Sequence, residues 1–179
     1  GTGQWSFVTT DGLGVINNIN NRLSQFDGSF GFTYVLRWSV TNGVCTPSTS
    51  DVSIHFDQNP SISEAGPIQN ICGSTSTSLN ADAPTVGTGQ WSFISNPDGL
   101  GAIGNVNNRN SAFSGASGST YQLQWTVSNG TCAPSTDNVQ ISFLVPLSIA
   151  NAGVDQNFCG TGVTLSGNSP AIGTGLWSL

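Results

Sequence analysis

The chain has 179 residues, 7 % of them charged and 9 % aromatic, with three Arg, no Lys and a formal net charge of −6. An acidic chain without a basic cluster is a poor partner for nucleic acid or an anionic membrane surface, and no apolar run reaches the roughly 18–20 residues that span a bilayer as a helix. Regularly spaced Trp, Tyr, Phe, Leu, Ile and Val exclude simple disorder, and a polar remainder of Ser, Thr, Asn and Gly predicts an extracellular, β-rich chain.

The first element is "GTGQWSF" (Gly1–Phe7), where Trp5 and Phe7 alternate with Gln4 and Ser6 as in a half-buried strand. "DGLG" (Asp11–Gly14) reads as a turn. In the next strand Tyr34, Leu36, Trp38 and Val40 point inward and Arg37 outward. Asn42-Gly43 then supplies the positive φ of a tight turn, and Val52, Ile54 and Phe56 mark a further strand. "DQNPS" (Asp57–Ser61) carries a Pro and little core, which predicts a boundary. After it comes a strand region ending at Cys72-Gly73, then Leu79 in a short strand, and the opening phrase returns at Gly87–Phe93.

From there the order repeats. Trp5, Trp91 and Trp177 are 86 residues apart, and Trp38/Trp125, Cys45/Cys132 and Cys72/Cys159 are 87 apart. Trp91 and Phe93 alternate inward, as do Tyr121, Leu123, Trp125 and Val127, and then Val139, Ile141 and Phe143. "LVPLS" (Leu144–Ser148) matches the first boundary, and Leu165 matches Leu79. A period near 86 suits a small sandwich domain rather than a solenoid repeat of 20–50 residues. We therefore expect a complete module at 60–145, the back part of another at 1–57 and the front part of a third at 147–179, the whole being a piece of a longer chain. Each full module should hold about seven strands in antiparallel sheets, with one face buried and one wet. The Trp residues could be read as a sugar-stacking platform, but alternation in register with Leu and Val favours core.

Catalytic chemistry is poorly represented. His55 is the only His and alternation turns it outward, so neither a triad nor a zinc site is expected. The nine acids are scattered, and no pair is distinguished for glycosidic chemistry. No cofactor is expected. Calcium has candidate ligands only in Asp11 and Asp98, which read better as turn residues. Asp98 with Arg109, and Asp11 with Arg22, are expected as loop-fixing ion pairs. Asn129-Gly130-Thr131 fits a glycosylation acceptor, but its twin at Asn42 does not, so the turn reading is preferred.

Cys45, Cys72, Cys132 and Cys159 place one cysteine after the first strand region and one past the Asn-Gly turn of each module, a usage that suits an oxidising, exported setting. Two pairings stay open. Cys72–Cys132 would make one bridge per module, although those turns lie at opposite ends of a seven-strand sandwich. Cys45–Cys72 with Cys132–Cys159 would tie neighbouring modules. Either bridge would stabilise by roughly 2–4 kcal/mol.

"AGPIQNICGSTSTSLNA", "YQLQWTVSNGTC" and "STDNVQISF" resemble the PKD-like immunoglobulin sandwich, and in particular the tandem PKD-like modules of very large secreted surface proteins of gliding Bacteroidota. The carrying motifs are Ala65-Gly66, the Tyr121–Val127 strand, the Asn129-Gly130 turn and the Val139–Phe143 strand. The resemblance implies an all-β chain of tandem immunoglobulin-like β-sandwich repeats, with a secreted or cell-surface role in adhesion, motility or filament building.

The resulting expectation is a non-enzymatic, disulfide-stabilised stalk segment of an extracellular adhesin or filament on a bacterial cell surface. Its partners would be neighbouring modules of the same chain, with lateral self-association into fibres and surface glycans as further candidates. The alternative is a carbohydrate-binding or accessory module of a secreted polysaccharide-degrading enzyme.

Overall fold

The structure, a computed structural model, describes residues 1–178; Leu179, which ends the third copy of the opening phrase, lies outside the described residues. Twelve strands and no helix are found among them. They are β1 (Thr2–Thr9), β2 (Val15–Ile16), β3 (Phe26–Asp27), β4 (Thr33–Thr41), β5 (Ser48–His55), β6 (Gln69–Cys72), β7 (Ser76–Ser78), β8 (Thr88–Ser95), β9 (Ala102–Ile103), β10 (Ala112–Ser114), β11 (Thr120–Ser128) and β12 (Ser135–Leu144). By contacts the chain forms two compact units that do not coincide with the repeat copies. Unit 1 comprises Gly1–Ser63, Ala83–Gly89 and Thr126–Thr136, and unit 2 comprises Glu64–Asp82, Gln90–Trp125 and Asp137–Leu179.

The sheet of unit 1 has the order β1-β4-β5, antiparallel throughout, with Trp5 opposite Trp38 and Arg37 opposite Asp51. The two indoles meet with ring centroids 4.9 Å apart. The ribbon β2-β3 brings Phe26 edge-on to Tyr34 at 5.0 Å, and Phe56 closes on Tyr34 at 6.0 Å. An irregularity between Phe7 and Thr9 bends the end of β1, as a bulge does. On the outer face Arg37 grips the Asp51 carboxylate with two hydrogen bonds of 2.7 and 2.8 Å.

The larger sheet has the order β6-β12-β11-β8 and faces the small sheet β7-β10-β9, so β6 to β12 build an immunoglobulin-like sandwich. The alternation of β11 is the reason it lies at the centre. Tyr121, Leu123, Trp125 and Val127 are all buried, while Gln122 is exposed and Gln124 half-buried. Phe113 of β10 bridges the two layers, edge-on to Tyr121 at 5.3 Å and stacked on Phe143 at 5.9 Å. Trp91 lies 5.0 Å from Trp125. Across β11 and β12, Gln124 donates to Asn138 at 3.2 Å, in the place that Arg37 and Asp51 hold in unit 1. One pair departs from the antiparallel expectation: β6 runs parallel to β12, with Phe143 opposite Ile71 and Leu144 opposite Cys72.

Several residues expected in the core lie elsewhere. Tyr34 and Leu36 are buried, but Trp5 and Trp38 are only half-buried and Val40 is exposed. Their twins Trp91, Trp125 and Val127 are buried. The physical cause is that residues 60–82, with buried Ala65, Leu79 and Ala81, cover the larger sheet, whereas among the described residues no such layer lies over β1-β4-β5. Phe93 is also exposed: β8 is an edge strand, and the Phe93 ring meets Phe113 from one side at 6.2 Å. Leu79 lies just beyond β7, and Leu165 is exposed and in no strand.

Candidate functional site

The most developed polar cluster lies in unit 1, where the Pro-bearing link after β5 meets the turn between β11 and β12. The Asn129-Gly130 pair makes that turn because glycine accepts the positive φ of +52° found at Gly130. The absence of a Cβ there also leaves room for the Asp57 carboxylate, which occupies the space a side chain would fill. Asp57 accepts from the Thr131 N–H at 2.7 Å and the Thr131 hydroxyl at 2.9 Å, and His55 Nε2 stands 3.3 Å away. The Thr131 N–H and hydroxyl, then His55, hold the Asp57 carboxyl below the usual carboxylate range. His55 is braced through Nδ1 by the Thr33 hydroxyl at 2.8 Å. Next along the link, the Asn129 amide donates to the Gln58 carbonyl at 2.8 Å. Further on, the Ser61 N–H donates to the Val86 carbonyl at 3.1 Å, and its hydroxyl accepts from the Thr85 N–H at 3.2 Å. Link 57–61 is thus tied at both ends. His55 does face outward, but its pairing with Asp57 two residues on was not evident from alternation.

Asp11 and Asp98 do not pair with arginine. Each closes its own turn, accepting from Leu13 N–H and Leu100 N–H respectively at 2.9 Å. Each then receives a buried tyrosine hydroxyl, Tyr34 to Asp11 at 2.7 Å and Tyr121 to Asp98 at 2.7 Å. Those hydroxyls accept in turn from the Ser29 and Ala116 N–H groups. Burial alone would raise the Asp11 pKa, but hydrogen bonds from Leu13, Tyr34, Ser29 and Gly14 together lower it to about 2. Hydrogen bonds from Ser119, Tyr121 and Leu100 lower that of Asp98. Arg109 instead donates to the Ala81 carbonyl at 3.1 Å. The expected ion pairs are therefore replaced by Asp–Tyr pairs, because a buried phenol needs a partner more than an exposed guanidinium does. Among the described residues no three His, Cys, Asp or Glu gather as a metal site.

The expected disulfides are not formed. Cys45, Cys72 and Cys159 are exposed thiols, and Cys132 is a half-buried one whose Sγ lies 3.5 Å from the Asp57 carbonyl oxygen. Cys72 pairs with the last residue of β12, whereas Cys132 precedes its first, and ten residues of strand separate those ends. At about 3.3 Å per residue this far exceeds the ~6 Å Cα separation of a disulfide.

No family model matches the chain, and no curated protein does. Among solved structures, it is similar to the PKD domain from KIAA 1837 protein, at 21 % identity over 53 % of this chain and 92 % of that one, with a TM-score of 0.41. It is also similar to the protocadherin gammaB4 extracellular domain, at 14 % identity over 82 % of this chain and 28 % of that one, with a TM-score of 0.34. At these scores the likeness adds nothing to the fold assignment, which rests on the chain's own two-layer arrangement of strands.

Proposed function

We propose that the chain is a non-enzymatic, extracellular structural segment, a stalk of tandem β-sandwich repeats in a surface adhesin or filament of the kind its sequence resembles. The observation that supports this reading is the clamped link within unit 1: Asp57 accepts from Thr131 and Asn129 donates to Gln58, tying the stretch after β5 to the turn between β11 and β12. A repeat chain that transmits force or holds a tip away from a surface needs such joints, because loose linkers fold back as random coils. Replacing Asp57 by Ala in the whole chain should leave both repeats folded and loosen the joint. Small-angle scattering should then show a broader distribution of dimensions and NMR relaxation two independent tumbling rates. Unchanged scattering and a single tumbling rate would refute the stiff-joint reading.

A carbohydrate-binding role is a second reading, favoured by the half-exposed indoles of Trp5 and Trp38 beside Arg22. Glycan-array binding that disappears in Trp38→Ala would support it.

A further inference from the structure

Cys72 and Cys132 stand at opposite ends of β12, yet each is set against the same position of the repeat. β6 ends at Cys72, which lies opposite Leu144, the last residue of β12, in a parallel pair. In unit 1 the Cys132 Sγ lies 3.5 Å from the carbonyl oxygen of Asp57. Asp57 and Leu144 are 87 residues apart and hold the same place, at the start of the Pro-bearing link into the following copy. One peptide group of the repeat is thus met by two cysteines. The front-strand cysteine belongs to the same copy as that group, and the turn cysteine belongs to the copy that follows.

The contact seen at Asp57 carries over to Leu144 because the link has one local geometry at both occurrences. The Ser61 N–H donates to the Val86 carbonyl and its hydroxyl accepts from the Thr85 N–H. One repeat later the Ser148 N–H donates to the Ile172 carbonyl, and its hydroxyl accepts from the Ala171 N–H at 2.8 Å. The Cys132 contact also uses the main-chain oxygen of Asp57, which Leu144 shares, and not the carboxylate, which Leu144 lacks. Cys72 is one strand spacing, about 4.8 Å, from Leu144. A thiol lying over the Leu144 carbonyl is then within the short reach of a disulfide, whose Cα atoms stand about 4.4–6.8 Å apart.

We infer that each joint of the tandem chain is crossed by a disulfide between the front-strand cysteine of one repeat, the Cys72 position, and the turn cysteine of the next, the Cys132 position. This deepens the stalk reading and rests on it. The direction is opposite to that of a Cys45–Cys72 bridge: Cys45 precedes β5 and link 57–61 follows it, with eight residues of strand between. In forming the bond the two thiols lose two protons and two electrons. Glutathione disulfide takes these up and leaves as two glutathione molecules. The partner of Cys72 lies one repeat after Cys132, and that of Cys132 one repeat before Cys72, so no two of the four cysteines here are joined to each other. At Leu144, where the Asp57 clamp has no counterpart, the bond is what ties the joint.

Two lengthened chains test it, each the whole 179-residue chain with one addition. In the first, a copy of residues 60–86 precedes Gly1 and supplies a second Cys72 to the repeat that holds Asp57. In the second, a copy of residues 94–145 follows Leu179 and supplies a second Cys132. After oxidation by glutathione disulfide, peptide mapping without reduction should find Cys132 joined to the added Cys72 in the first chain. In the second it should find Cys72 joined to the added Cys132. Cys132→Ser in the first chain should abolish the bond and leave the added cysteine open to iodoacetamide. The inference is overturned if these cysteines stay alkylatable, or pair elsewhere, in a lengthened chain that near-ultraviolet circular dichroism shows to be native. It is equally overturned if the unaltered chain, oxidised at high dilution, joins any two of its own cysteines. The two additions complete different repeats, so either one that folds decides the matter. The stalk reading is judged separately, by scattering and relaxation of Asp57→Ala in reduced protein.

Discussion

Val139 and Val52 occupy the same position in two copies of one fold, but Val139 is 3 % exposed and Val52 is 41 % exposed. Truncating each to Ala removes two carbons, a transfer cost of ~1.6 kcal/mol at ~0.8 kcal/mol per methylene when fully buried. At Val139 the site is enclosed by β6, β11 and the buried face of the sandwich, so a cavity adds to that cost and the total should reach about 2–3 kcal/mol. At Val52 only about three-fifths of the transfer cost applies and no closed cavity forms, leaving ~1 kcal/mol. Native-state hydrogen exchange reads the two sites separately, through amides of β11 and β12 for Val139→Ala and of β4 and β5 for Val52→Ala. Equal losses in the two copies, or a larger loss at Val52, would refute the argument that residues 60–82 make the difference.

Other outcomes follow from the same contacts. The Asp11 carboxyl titrates at about 2 when folded against an ordinary 3.8, so its stabilising contribution is complete above pH 4 and is lost as pH falls toward 2. Thermal midpoints of Asp11→Asn should accordingly fall less steeply than those of the unaltered chain over that window. Gly87 has φ of +93°, and a Cβ there would run into the Ser128 carbonyl oxygen; Gly87→Ala should cost about 2–3 kcal/mol in thermal or urea unfolding, and a neutral result would contradict the close approach. Oxidation of the whole chain with glutathione disulfide should leave Cys72 and Cys132 unjoined to each other, because they lie at opposite ends of the ten-residue strand β12. Peptide mapping that found Cys72–Cys132 instead would be inconsistent with the strand geometry.

The strands were legible because a two-residue period survives in Tyr121–Val127 and Val139–Phe143, and burial follows it. What alternation could not convey is which faces are covered. Trp5 and Trp91 sit in identical heptapeptides, yet only Trp91 is buried, because cover comes from residues distant in sequence. Parallel pairing of β6 was equally invisible, since four residues carry no sign of their neighbour's direction. The Asp–Tyr pairs had a usable signal: 23 residues separate Asp11 from Tyr34 and Asp98 from Tyr121. Asp and Arg recur with constant spacing as well, so repetition alone did not discriminate; the need of a buried phenol for an acceptor does. The clamp at Asp57 was hidden because Leu144, which takes its place in the next copy, cannot make it.

Nearly identical neighbours in one polypeptide carry a hazard, for a strand can fold into the wrong copy and trap both. The outer-face couple Arg37–Asp51 is replaced by Gln124–Asn138 one repeat later. Swapping β4 and β11 between copies would strand the guanidinium beside an amide and the carboxylate beside another. A charge couple that adds little to the finished protein thus works as a proofreading mark while the chain is still choosing partners.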